Sequence, residues 1–319
     1  MNLSTRSPLA LALLLAALGL LTPPPAQENA PAAAGLTWIP IHWESAKIGE
    51  RLVEKAALLV PVQLEGKSAK ILVQLDLGAD LTQFDAAPYE QLFGKGTAPR
   101  DKPKKMPFTG TFGGARVQNY LFDVLPGGGE KSSGDEPVLL GTLGADFFPN
   151  RILLLDFMGQ RIRILDEDGR LPETLENRAT FVSLTVRDGR LFLPLSINGK
   201  EEGGFFYDTG SSLFTITTTR AKWQEITGRT GNEPDNEVWR VPSWGREAVM
   251  VGARTKGEVR VGNARLEHPL AFFESSGLEN LNAVSLVGNA LFFGRFSVIV
   301  DIPGKRFGLI EKSENQGMQ

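Results

Sequence analysis

Phe205-Phe206-Tyr207-Asp208-Thr209-Gly210-Ser211-Ser212 is an apolar run that stops at an acid, a hydroxyl residue and a glycine. A carboxylate at the end of a buried strand is costly to desolvate, so an acid in that position points to a use. The arrangement occurs twice. Ile71-Leu72-Val73-Gln74-Leu75-Asp76-Leu77-Gly78-Ala79-Asp80 has the same run, the same Asp-x-Gly and a small residue after it. Two such acids from two halves of one chain predict one shared site.

An isolated Asp-x-Gly is usually only a turn, so the flanking sequence decides. Upstream, Val60-Pro61-Val62-Gln63-Leu64-Glu65-Gly66-Lys67 matches Leu193-Pro194-Leu195-Ser196-Ile197-Asn198-Gly199-Lys200, and each reads as a β-hairpin leading into the strand that bears the acid. Downstream, Thr142-Leu143-Gly144-Ala145-Asp146-Phe147-Phe148 is echoed by Leu286-Val287-Gly288-Asn289-Ala290-Leu291-Phe292-Phe293. A pair of apolar strands follows in both places, 152–156 with 161–165 and 298–301 with 305–310. The order of parts is the same in both halves, which predicts an internal duplication.

The chain begins with Arg6 and the uncharged apolar run 9–21, too short to span a bilayer comfortably, then Thr22-Pro23-Pro24-Pro25-Ala26. Residues 1–26 read as a secretory signal peptide, with an uncleaved N-terminal anchor as the alternative, so the expected location is periplasmic or secreted. Residues 27–55 read as linker and N-terminal extension. The rest, with 42% hydrophobic residues, 35 Gly and 20 Pro, suits a turn-rich β protein. A net charge of −3 argues against nucleic acid or an anionic membrane as partner. The absence of cysteine excludes disulfides and thiol chemistry. His42 and His268 stand alone in the sequence, which leaves no histidine-rich metal site.

Two lobes are expected, at 56–170 and 180–312. After Asp76 come a short strand, 81–84, and a helix, 86–93, with Asp85 placed to cap it; in the second half a strand at 213–217 precedes a helix near 220–226, capped by Thr218 or Thr219. The glycine-rich stretch 127–136 reads as a surface insertion. Phe108, Thr109, Gly110, Thr111, Phe112 and Gly113 lie between two possible strands, and read either as a mobile lid or as a plain surface hairpin. Phe147, Phe148, Phe292 and Phe293 read as core, and Trp223, Trp239 and Trp244 as partly buried against the second lobe.

The paired Asp-x-Gly segments, each followed by an apolar-apolar-Gly block and a terminal strand pair, resemble the aspartic proteases, in particular exported bacterial members similar to retropepsins. Asp208-Thr209-Gly210-Ser211-Ser212 is an intact form of the family's motif. Asp76-Leu77-Gly78-Ala79-Asp80 departs from it, with Leu77 where the family has Thr. The resemblance implies an all-β, bilobal pepsin-like fold: two similar β-barrel-like lobes with short helices, related by a pseudo-twofold axis in one monomeric chain. It implies Asp76 and Asp208 as catalytic residues, no metal or cofactor, and a peptide or protein substrate. Leu77, Gly78, Ala79, Thr209, Gly210, Ser211 and Ser212 become the supporting loops. In the family two threonine hydroxyls tie loop to loop; Thr209 can make its bond and Leu77 cannot.

Two carboxyls within about 3 Å cannot both ionise in a low-dielectric cleft, and so hold one proton between them. The ionised member can activate a water while the protonated one donates to a peptide carbonyl. The sequence leaves two readings open: an aspartic endopeptidase, or a protein of the same fold that binds a cell-envelope partner without cutting it.

Overall fold

The computed structural model describes residues 36–243, 246–277 and 285–312. The segments read as signal peptide and as most of the linker lie outside these residues, as does Trp244. Among the described residues no helix is long and apolar enough to cross a membrane.

The fold is all-β and two-lobed, as expected. In lobe one, strands His42–Ile48, Arg51–Leu64, Ile71–Leu75, Val138–Leu143, Gln83–Phe84, Ala115–Val124 and Lys104–Phe112 are neighbours in that spatial order, and a further pairing of Arg51–Leu64 with Lys104–Phe112 curls the sheet back on itself. Lobe two repeats the plan. Its acid strand, Lys200–Asp208, pairs parallel with Leu286–Gly288, as Ile71–Leu75 does with Val138–Leu143. The short strand after each acid, Gln83–Phe84 or Ile216–Thr217, slots antiparallel onto the same partner, and a helix follows, Ala86–Phe93 or Arg220–Thr227. The hairpin before Asp208 turns at Asn198-Gly199, both at positive φ (55° and 77°), the two-residue turn whose twist matches the flanking strands.

A third sheet joins the lobes. Its order is Ile39–Pro40, Arg161–Ile164, Ile152–Asp156, Phe296–Asp301, Arg306–Glu311 and Thr180–Ser183. At its centre the terminal strand pairs of the two halves meet antiparallel, Leu154 opposite Ile299, so a pseudo-twofold axis runs between them. The two strand pairs carry the same side-chain arrangement. Asp156 accepts from Gly159 N (3.0 Å) and Arg161 Nε (2.9 Å); Asp301 accepts from Gly304 N (2.8 Å) and Arg306 Nε (2.6 Å). Lys312 adds a buried ion pair to Asp156. Residues 39–55, read from the sequence as extension, are therefore largely strand: they supply one edge of this sheet and the first hairpin of lobe one.

Asp85 departs from its expected role. It stands at the N-cap of Ala86–Phe93 without a side-chain cap bond. The first helical amides are taken by the glycine loop instead: Ala86 N donates to Gly127 O (3.1 Å) and Ala87 N to Gly128 O (3.2 Å). The Asp85 carboxyl is left buried, with Oδ1 unpartnered, and desolvation pushes its pKa up to about 6. The 127–136 stretch is thus a loop docked on the helix, with Ser132 and Gln91 exchanging hydrogen bonds. Thr219 does cap its helix, accepting from Lys222 N.

Candidate active site

Each acid sits at the C-terminal end of a strand whose parallel partner fixes the backbone: Asp76 N donates to Leu143 O at 3.1 Å, and Asp208 lies opposite Gly288. The strands aim the two loops at one another across the pseudo-twofold axis. There the carboxyls of Asp76 and Asp208 face one another, each lying against the glycine of the other loop.

The glycines explain how they come so close. A Cβ on Gly78 would lie 2.7 Å from Asp208 Cγ, and one on Gly210 would lie 2.7 Å from Asp76 Oδ2. Neither position tolerates a side chain, and the clash is reciprocal. The same glycines feed amides to their own acids, Gly78 N to Asp76 Oδ1 (2.8 Å) and Gly210 N to Asp208 Oδ1 (2.8 Å), and Ser211 N adds a bond at 3.2 Å.

Burial raises both carboxyl pKa values. For Asp208 the neighbouring Asp76 charge adds to desolvation and holds the group well above the usual carboxylate range. For Asp76 the rise from desolvation is partly offset by hydrogen bonds from Asp208 and from backbone amides of both loops. The titration belongs to the pair rather than to either residue.

Thr209 ties the loops as expected. Its buried hydroxyl accepts from Leu77 N (2.8 Å) and donates to Leu75 O (3.1 Å). Leu77 gives no reciprocal side-chain bond; its side chain is buried in the apolar core. Ala79 closes the turn through its amide to Asp76 O. Ser212 donates to Thr209 O at 3.1 Å. Asp80 faces the other lobe, 3.6 Å from Arg190.

Of the two readings of 108–113, a mobile lid or a plain hairpin, the packing fits a hairpin held against lobe one. Phe108 and Phe112 are buried in a ring cluster with Phe84 and Phe122. Gly110 is needed because a Cβ there would collide with Gln63 O, and Thr111 pairs with Gln63. Thr109 accepts from Asn119 N. Gly113 donates to Pro61 O and accepts from Ile164 N, which pins the turn to the core. The repeat shows what differs. The lobe-two counterpart of this turn is Gly262, between Val259–Val261 and Ala264–Leu266. Lobe two has in addition a long hairpin, Glu237–Ser243 with Arg246–Arg254, for which lobe one has no matching strand pair among the described residues. That hairpin reaches lobe one, where Arg51 stacks 4.5 Å from the Trp239 ring. Beside it, Leu52 to Lys55 of lobe one and Ser212, Leu213, Ala290 and Phe293 of lobe two line a groove of about 430 Å³ bordering the Asp208 loop.

Some residues that shape the site were not singled out from the sequence. Thr82 bonds Asp146 through both its amide and its hydroxyl, 2.7 Å each, and accepts from Gly144 N. Asn289 does comparable work in lobe two. Thr82 lies in the stretch 81–84 read as a short strand and Asn289 inside the block that begins at Leu286, and neither carries a sequence signal beyond that position. Phe147, Phe148 and Phe292 are fully buried as expected, whereas Phe293 is only partly buried and lines the groove; Trp223, expected to be partly buried, is fully buried and donates to Ala271 O.

Comparison with solved structures finds similarity to a retropepsin-like aspartic protease from Rickettsia conorii, at 18% identity over 41% of this chain and 89% of that one, TM-score 0.29. It also finds conglutin gamma, a basic 7S globulin from lupine seeds, at 12% identity over 86% and 95%, TM-score 0.47. A third is the aspartic proteinase from Irpex lacteus, at 12% identity over 87% and 97%, TM-score 0.46. No family model matches the chain, and no curated protein sequence does.

Proposed function

We propose that this chain is an aspartic-type endopeptidase that hydrolyses peptide bonds with a water activated between Asp76 and Asp208. The observation that carries the reading is the reciprocal approach of the two acids, each lying where the other loop's glycine leaves room. In the one-proton state the ionised carboxylate takes a proton from water, whose oxygen attacks the peptide carbonyl carbon. The protonated carboxyl gives its hydrogen to the carbonyl oxygen, forming a neutral tetrahedral diol with no covalent enzyme adduct. Collapse breaks the C–N bond, the amine leaves with a proton from the pair, and the second carboxyl regains one from the diol. An extended peptide lying between the lobes is the substrate class that suits strand-lined walls. The leader implies that the enzyme acts outside the cytoplasm, as an exported protein.

A second reading, a protein that binds an envelope partner without cleaving it, is favoured by Leu77: an apolar side chain occupies the place of a loop-tying hydroxyl. One assay separates the two. The mature chain and Asp208→Asn are incubated with a peptide library from acid to neutral pH. Cleavage by the parent and none by the variant supports the peptidase; a parent that cuts nothing over that range removes it.

A further inference from the structure

The two acid-bearing loops follow one plan and are held by different chemistry. In lobe one, the residue after the acid is Leu77 and the residue after the block glycine is Ala145, both buried and both apolar. In lobe two the same two places hold Thr209 and Asn289, both 0% exposed. At these two places the side chain is apolar in lobe one and hydrogen-bonding in lobe two.

Asn289 uses its whole amide. Nδ2 donates to Thr209 O at 2.8 Å and to Ser212 Oγ at 3.0 Å, and Oδ1 accepts from the Tyr207 hydroxyl at 3.0 Å. Its backbone amide donates to Ser211 O at 3.1 Å. These partners bracket Asp208 on both sides. Only a primary amide offers two donors and an acceptor in this space; a carboxylate would face the Thr209 carbonyl with another acceptor. Thr209, held this way from behind, presents its hydroxyl to Leu77 N and Leu75 O of the opposite loop.

We propose that Asn289 is the positioning residue of the acid pair: it fixes Thr209, Thr209 fixes the backbone around Asp76, and the spacing of the two carboxyls is set from lobe two. The proposal deepens the peptidase reading and rests on it for its kinetic consequence, while the hydrogen-bond relay can be tested without any cleavage.

The test follows the carboxyl-carbon NMR titration of Asp76 and Asp208 in the full chain, for the parent, Asn289→Asp and Asn289→Leu. Thr227→Val serves as control, because it removes a buried hydroxyl bond to Trp223 O far from the loops. With the relay broken, the upper titration of the pair is expected to shift by about one pH unit or more, and Thr227→Val is expected to leave it in place. Where the parent cleaves peptide, kcat in the Asn289 variants should fall on the order of 10- to 100-fold with KM nearly constant. Should these two variants fail to fold, Asn289→Ser, a smaller polar side chain without the Nδ2 donors, is read in the same way. A folded variant at position 289 that titrates like the parent overturns the proposal. A parent that cleaves nothing, but whose titration moves with residue 289, removes the peptidase reading and keeps this one.

Discussion

Thr209 is the residue on which the geometry of the acid pair turns, because one hydroxyl serves a donor and an acceptor of the other lobe. Thr209→Val keeps the shape and leaves the buried Leu77 N–H and Leu75 C=O unpaired, so a loss of about 2 kcal/mol is expected in urea unfolding; a change below about 0.5 kcal/mol contradicts the assigned bonds. Asp85 makes a prediction of the opposite kind. Its folded pKa, raised to about 6, means that the protonated form is the one the fold prefers. Its contribution is fully present below the unfolded value of about 3.9 and is lost as pH rises through 6. Asp85→Asn should therefore flatten stability between pH 4 and 7 and exceed the parent at pH 7 by on the order of 2 kcal/mol; a pH-independent difference would count against a buried, unpartnered carboxyl. At this scale the sequence showed the acids and their glycines plainly, because few residues satisfy the steric demand of two facing loops. It hid Asn289, since a neutral amide after a glycine looks like any turn residue until the partners folded beside it are known. It misled at Asp85, whose place before a helix fits a cap, because the competing carbonyls of Gly127 and Gly128 come from a loop far along the chain.

Among the elements, hairpins carried the largest gap between sequence and structure. Glycines at Gly110, Gly113 and Gly114 are what a mobile tip would have, and also what a strand needs where another backbone passes close. Local sequence does not distinguish the two. The matching strand order of the two lobes does, since setting the Gly113 turn beside Gly262 leaves the Glu237–Ser243 and Arg246–Arg254 pair, among the described residues, as the unmatched arm. This arm touches lobe one through Arg51 on Trp239. An exposed cation–π contact is worth about 0.5–1 kcal/mol, so Arg51→Ala should speed hydrogen exchange of the 237–243 amides by roughly two- to fivefold, with exchange in the core strand Ile71–Leu75 unchanged. Equal rates in both proteins would show that the contact does not restrain the arm. Helices were easier to read: Ala86–Phe93 and the Thr219-capped Arg220–Thr227 coincide with their sequence signals within a residue or so.

The molecule as a whole depends on the sheet that neither half completes. Ile152–Asp156 is buried along its entire length, and its outer neighbour is Phe296–Asp301 of the other half. The apolar runs announced strands, but a fully buried run has no polar face to say which strand lies beside it, so a shared sheet was not legible. A fragment of residues 36–170 would leave this apolar edge open, and it is expected to self-associate or precipitate when purified; a monomeric fragment with a cooperative melting transition would show that the first half closes on its own. Synthesis imposes the same incompleteness for a time. Asp156 leaves the ribosome 141 residues ahead of Ser297, its hydrogen-bond partner in the finished sheet. At about 5–20 residues per second, the nascent first half waits roughly 7–30 s with that edge uncovered, an interval in which a chaperone or a neighbouring polysome can reach it before its own C-terminus does.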